Sequence, residues 1–226
     1  MTTRYTSLAE VIGSPVFPDV DLALRRGRHI DRDDGDWYQF LTDAQDHLER
    51  FYRRYDCELV VQSDGYFFLL PTGKQFSMRR LSEGEMIVGQ ALALQYLDPS
   101  TLQSGGTVTH EQLLTRLANL IDDTELANAL NPKKRHTNER VVQETIRTKI
   151  ASAIQRLSKM GFVDKIEHDR LRLRAPLLRF AAPVRGLADP NAALERLIAR
   201  GEMARPDAEA DEDDEVDDED DDEVES

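Results

Sequence analysis

The sequence predicts an α+β fold, mainly helical, and three observations predict it. Val142, Ile146, Ile150, Ala153, Leu157 and Met160 recur at helical spacing. They fall within about 80° of arc on a helix turning roughly 100° per residue, so one face is expected to be buried. That stretch passes through Gly161 into two short alternating segments, Phe162 to Glu167 and Arg170 to Arg174, the pattern of a β-hairpin. An earlier stretch repeats the same order, a long helix and then two strands joined through Asp64-Gly65. A helix stopped by glycine and followed by a hairpin "wing" is the end of a winged-helix unit. The prediction is therefore tandem winged-helix domains, each of helices plus a β-hairpin wing, with an acidic disordered C-terminal tail. The expected divisions are residues 1–80, 81–182, a docking-helix region 183–206 and the tail 207–226.

Each element has a local reason. Pro15 to Pro18 punctuates the start, and Asp19 is a cap for a short helix to about Arg28 with basic residues in its last turn. The next helix, Asp36 to Tyr55, carries Trp37, Phe40, Leu41, Ala44, Leu48, Phe51, Tyr52 and Tyr55 at 3.6-residue spacing. Cys57 to Gln62 and Tyr66 to Leu70 follow as strands, with Gly65 accepting positive φ in the turn. Ser82 with Glu85 forms a capping box that opens a helix to about Leu97, and Asp98-Pro99 with Gly105-Gly106 marks a loop. Thr109 with Gln112 repeats the box before a helix to about Ile121, and Asp123 to Leu130 makes a short helix stopped at Asn131-Pro132. The long helix and second hairpin come next. Asp189-Pro190 and Gly201 then frame a short apolar stripe, Ala192, Ala193, Leu194, Leu197 and Ile198.

The net charge of −14 over 226 residues conceals two different objects. Asp207 to Ser226 holds 15 carboxylates and no Lys or Arg, leaving 29 basic against 28 acidic residues in the remainder. A run so charged cannot offset chain entropy by burial and is expected to be disordered. It reads either as a solubility device or as a competitor for a basic surface. Within the near-neutral remainder, Lys133 to Arg174 holds 12 basic and 5 acidic residues. Lys133, Lys134 and Arg135 precede the long helix, where cations reach phosphate oxygens. Arg147, Lys149, Arg156 and Lys159 ring the shoulders of that helix. In the last strand Arg170, Arg172 and Arg174 alternate with Leu171 and Leu173, so a pleated strand is expected to point the arginines to one face.

Winged helices bind DNA or proteins, which narrows the function to recognition. Catalysis finds no support: His29, His47, His110, His136 and His168 are dispersed, and no zinc spacing, phosphate loop or nucleophile elbow occurs. No cofactor or metal is expected. Asp31, Asp33, Asp34, Gly35 and Asp36 depart from a calcium loop, because Thr42 stands where a bidentate Glu is required. They read as a surface turn and helix cap. Cys57 alone forms no internal disulfide and reads as a small buried hydrophobe. With no apolar stretch of about 20 residues and a polar start, the cytoplasm is the expected address.

The string PVFPDVDLALRRGRHID, Pro15 to Asp31, resembles the opening of the MukE family, the small accessory subunits of the bacterial MukBEF condensin. RFYRRYDCELV at Arg50 to Val60, the Tyr66-Phe67-Phe68 strand, and LRFAAPVRGLADP with ALERLIARGEM resemble it in the same order, over most of residues 10 to 205. The resemblance implies a non-enzymatic tandem winged-helix protein associated with the nucleoid. Its implied partners are a second copy of itself (a homodimer formed largely through the first unit), a kleisin subunit, an SMC-type ATPase and duplex DNA bound without sequence specificity. It places DNA contacts on the second unit, by position at Lys149, Arg156 and Lys159, with Ser158 standing where the family has a further basic residue. The alternative reading is a free-standing winged-helix transcription regulator, which requires base-specific contacts, whereas these shoulders offer Lys and Gln with few obvious base readers.

Overall fold

The computed structural model describes residues 5–73, 80–121, 123–130, 139–166 and 169–181. Its first half begins with α1 (Leu8–Ile12), α2 (Phe17–Arg25) and the short strand β1 (Ile30–Asp31). A 3₁₀ turn (Arg32–Asp34), the long α3 (Asp36–Arg53) and the antiparallel pair β2 (Cys57–Gln62) and β3 (Tyr66–Pro71) complete it. The second half runs α4 (Glu83–Tyr96), α5 (Pro99–Gln103), β4 (Thr107–Thr109), α6 (His110–Leu120) and α7 (Asp123–Leu130). It ends with α8 (Glu139–Lys159), the hairpin β5 (Val163–Ile166) and β6 (Arg170–Leu173), a 3₁₀ turn (Ala175–Leu177) and α9 (Leu178–Ala181). The chain is thus mainly helical with two small antiparallel sheets.

Both sheets share one plan. A short strand that precedes the long helix pairs with the second strand of the later hairpin, giving the orders β1-β3-β2 and β4-β6-β5. The registers are Ile30 opposite Phe67 and Val108 opposite Leu171. These short strands are absent from the sequence expectation, because two or three residues are too few to show an alternation. Buried apolar side chains gather in two clusters, one from Val11 to Leu69 and one from Ile87 to Ala181.

Local chemistry fixes the main elements. α3 buries Phe40, Leu41, Ala44, Leu48 and Tyr52, and the Tyr52 hydroxyl donates to Asp21 Oδ1 at 3.0 Å. Asp21 also accepts from Arg25 Nε at 2.9 Å, so α2 is tied to α3 by a shared carboxylate. α2 starts at Phe17, two residues ahead of the expected cap Asp19. Pro18 occupies its first turn and Val16 stands at the cap, because proline's fixed φ already suits that position. α4 opens on the expected Ser82–Glu85 capping box and is buried on nearly every side, the pattern of a central helix. Gly84 and Gly89 admit neighbours directly: a Cβ at Gly89 would stand 2.7 Å from the Phe180 ring, and one at Gly84 2.7 Å from Leu130.

The expected loop after Leu97 contains α5 and β4. Asp98 Oδ1 accepts from the Ser100 N–H at 2.9 Å with Pro99 at the first helical position, so the two residues that read as loop punctuation start a helix. α8 ends at Lys159, and the φ of +78° at Gly161 lets the chain turn back so that the Phe162 N–H reaches Leu157 O at 3.0 Å. The expected docking helix and acidic tail, residues 183–206 and 207–226, lie outside the described residues, as do Lys133, Lys134 and Arg135.

Candidate nucleic-acid interface

α8 buries Val142, Ile146, Ile150, Ala153, Ile154 and Leu157 against the second core and turns its opposite side outward. At 100° per residue, Lys149, Ser152, Arg156 and Lys159 span about 80° along one flank of the buried stripe. Lys149 and Lys159 are exposed, whereas Arg156 is half-buried: its guanidinium lies 3.3 Å from Glu85 and donates to Arg80 O at 3.2 Å. Glu85 is the residue that closes the α4 capping box, so this pair also aligns the last turns of α8 with the start of α4. Arg147 is exposed on another side of the helix and adds nothing to this group.

The three wing arginines separate. Arg170 is exposed and donates to Thr107 Oγ1 on β4. Arg172 forms a half-exposed pair with Asp33 at 2.7 Å. Arg174 is 3% exposed, enclosed by Asp31, by Asp34 at 2.6 Å and by Asp164 at 3.4 Å. The alternation is correct, but the far end of that strand face runs under the Asp31–Asp34 turn of the first half. Arg174 is therefore a junction residue and not a surface cation. The acidic segment is the expected turn and cap, with Asp31 capping the 3₁₀ turn and Asp33, Gly35 and Asp36 exposed, but Asp31 itself is 2% exposed and not at the surface. Burial alone would push the Arg174 guanidinium down, but the hydrogen bonds and charges of Asp31 and Asp34 outweigh it and hold its pKa above the ordinary value.

His29 lies at the same junction. Its backbone N–H donates to Met160 O at 2.8 Å, so the first half satisfies a carbonyl at the C-terminus of α8. The imidazole packs against Phe162 and Phe68 with centroids 4.4 and 5.1 Å away. Arg179 Nη1 lies 2.9 Å from His29 Nε2 and can only donate, so Nε2 accepts and Nδ1 carries the proton toward Met160 O, 3.2 Å away. Burial, followed by the Arg179 charge, pushes His29 down to about 3. Gly161 permits this approach, since a Cβ there would stand 2.3 Å from His29 O. Sequence reading missed His29, Asp31 and Asp34 as partners of the second half; their contacts cross more than 130 residues, and no local spacing announces them.

Beside the junction opens a cleft of about 650 Å³ whose lining includes Arg25, Arg26, Arg156, Lys159 and Arg179 and no carboxylate. Among the described residues no group of three or more His, Cys, Asp or Glu side chains is placed to hold a metal, and no helix is long and apolar enough to cross a membrane.

These features define a mainly helical α+β protein of two similarly ordered helix-and-hairpin halves, joined by a buried ion cluster and carrying a cationic outer helix. The family model described as MukE-like matches residues 5–226. The chain is 38% identical to the Chromosome partition protein MukE of Escherichia coli (strain K12) over 198 residues, which is 86% of this chain and 84% of that protein. It is 37% identical to the protein of the same name from Actinobacillus succinogenes over 211 residues, 92% of this chain and 85% of the relative. With the one from Pasteurella multocida it shares 36% over 207 residues, 90% and 84%. The chain belongs to the MukE-like family.

Proposed function

We propose that this protein is a non-enzymatic accessory subunit of a bacterial SMC/condensin complex acting in chromosome condensation and segregation. In this reading residues 1–80 and 81–182 are tandem winged helices. The first pairs two copies of the chain, and the dimer binds the kleisin subunit and through it the SMC-type ATPase. The second contacts duplex DNA. The observation that carries the reading is the alignment of relatives named chromosome partition proteins along 86–92% of this chain. The repeated strand order supports the winged-helix part, since in each half a short strand closes against the wing's second strand.

On the DNA side the chemistry is phosphate attraction without base reading. Lys149, Arg156 and Lys159 carry the contact, with Arg170 and Arg172 at its edge. These cations meet phosphate oxygens, whose contacts position a duplex and carry no sequence information directly. A few such contacts give the isolated subunit non-specific affinity on the order of 10⁻⁴ to 10⁻⁶ M, so firm capture depends on the assembled complex. The test is co-expression with a kleisin and an SMC-type ATPase, followed by size-exclusion chromatography with light scattering. Co-elution of two copies of this chain with the kleisin is expected. A monomer that elutes apart from both partners would overturn the reading.

A further inference from the structure

The cationic cleft beside the junction is under-matched in charge. Arg25 is answered by Asp21 at 2.9 Å and Arg156 by Glu85 at 3.3 Å. Among the described residues no carboxylate stands within ion-pair distance of Arg26, Lys159 or Arg179. Arg179 is also held in place: its guanidinium carbon lies 4.2 Å from the Phe68 ring centroid, and among the described residues its hydrogen-bond partner is the neutral His29. Partial desolvation without a compensating acid pushes its pKa below the ordinary value. A positioned, partly desolvated cation facing a concave space attracts an anion, and an extended acidic strand reaches such a space better than the convex surface of a duplex.

We propose that the acidic run 211–223 of this same chain seats in the cleft lined by Arg26, Lys159 and Arg179 when no nucleic acid is bound. Twelve of those thirteen residues are Asp or Glu, and none is Lys or Arg. The described chain ends at Ala181, two residues beyond Arg179, so the run is tethered at the cleft itself. The 29 residues between Ala181 and Asp211 tether the run to the cleft, which makes its seating an intramolecular event at an effective concentration set by that tether. The attraction is screened by salt. Because Arg156 and Lys159 also belong to the DNA face proposed above, duplex DNA displaces the run; this last consequence, and only this one, rests on that reading.

The test places spin labels at Ser152→Cys, on the exposed rim of the cleft, and at Val216→Cys, the one uncharged residue of the run. The full chain is diluted with unlabelled chain, and the distance distribution is read by double electron–electron resonance without DNA. At about 50 mM salt a narrow distribution below about 30 Å is expected. At about 1 M, where the screening length falls to roughly 3 Å, it broadens to that of a coil. A variant with the twelve carboxylates changed to Asn and Gln, which leaves every residue lining the cleft unchanged, shows the broad distribution at both salts. Arg26→Gln/Lys159→Gln/Arg179→Gln does the same. A broad distribution for the parent chain at low salt would overturn the proposal, as would a short distance that survives neutralisation or vanishes on dilution. A short distance that added duplex leaves unchanged supports the seat and refutes its overlap with the DNA face.

Discussion

His29 carries no charge at neutral pH, because burial and then the Arg179 guanidinium hold its pKa down to about 3. The unfolded chain binds the proton first, near 6.5, so between 6.5 and 3 protons favour unfolding. The stability owed to the neutral ring is complete above about 6.5 and is lost as the pH falls below it. Urea denaturation at pH 7.5 and 5.0 checks this: the native chain is expected to lose about 2 kcal/mol through this residue. His29→Gln, less stable at pH 7.5, is expected to lose that much less over the same interval. Equal losses in both chains would remove His29 from the account. At this scale the sequence was legible where a residue answers to its neighbours. Cys57, read as a small buried hydrophobe, is 3% exposed. Arg174 was misread because alternation fixes a strand face and says nothing about what covers it.

Elements whose signals lie within one turn were the most legible. The Ser82–Glu85 and Thr109–Gln112 boxes both form, since each joins residues three apart and needs no tertiary partner. The strands β1 and β4 were not legible, because each is defined only by pairing with a strand 35 or more residues downstream. α4 shows the same limit in its glycines: Gly84 and Gly89 look like weaknesses in a helix, yet they are the surfaces on which Leu130 and Phe180 sit. Glycine to alanine inside a helix ordinarily stabilises by about 1 kcal/mol. At Gly89 the sign is expected to reverse, with Gly89→Ala destabilising by about 1–3 kcal/mol, because the Phe180 ring is itself packed on Phe162 at 4.8 Å and cannot move freely. A rise in the urea midpoint of Gly89→Ala would show that α9 yields at no cost.

Among the described residues the two halves meet through the His29 backbone and a set of buried side chains, of which Arg174 is the cation, 3% exposed. Arg174→Met leaves the buried Asp31 without its counter-charge and Asp34 with Arg28 alone, 2.9 Å away, and is expected to cost about 3–5 kcal/mol. Calorimetry is expected to show two unfolding transitions for this variant and one for the native chain, and adding Asp31→Asn is expected to restore part of the loss. A single transition at the native temperature would mean that the ion cluster does not couple the halves. This coupling sets the geometry on which the functional reading depends, since it holds the cationic side of α8 beside the α2 end of the first half. The outward cations of α8 were legible from helical spacing, whereas the cleft was not, because Arg26 and Arg179 reach it from distant parts of the chain. The most direct test is the salt dependence of duplex DNA capture by the assembled complex, comparing the native chain with Lys149→Glu/Lys159→Glu. Arg156 stays in place in this variant because Glu85 relies on it. Weaker capture is expected, with the slope of log affinity against log salt shallower by about two for each engaged copy and dimerisation unchanged. Equal affinity and equal slope would contradict the claim that this helix face holds DNA.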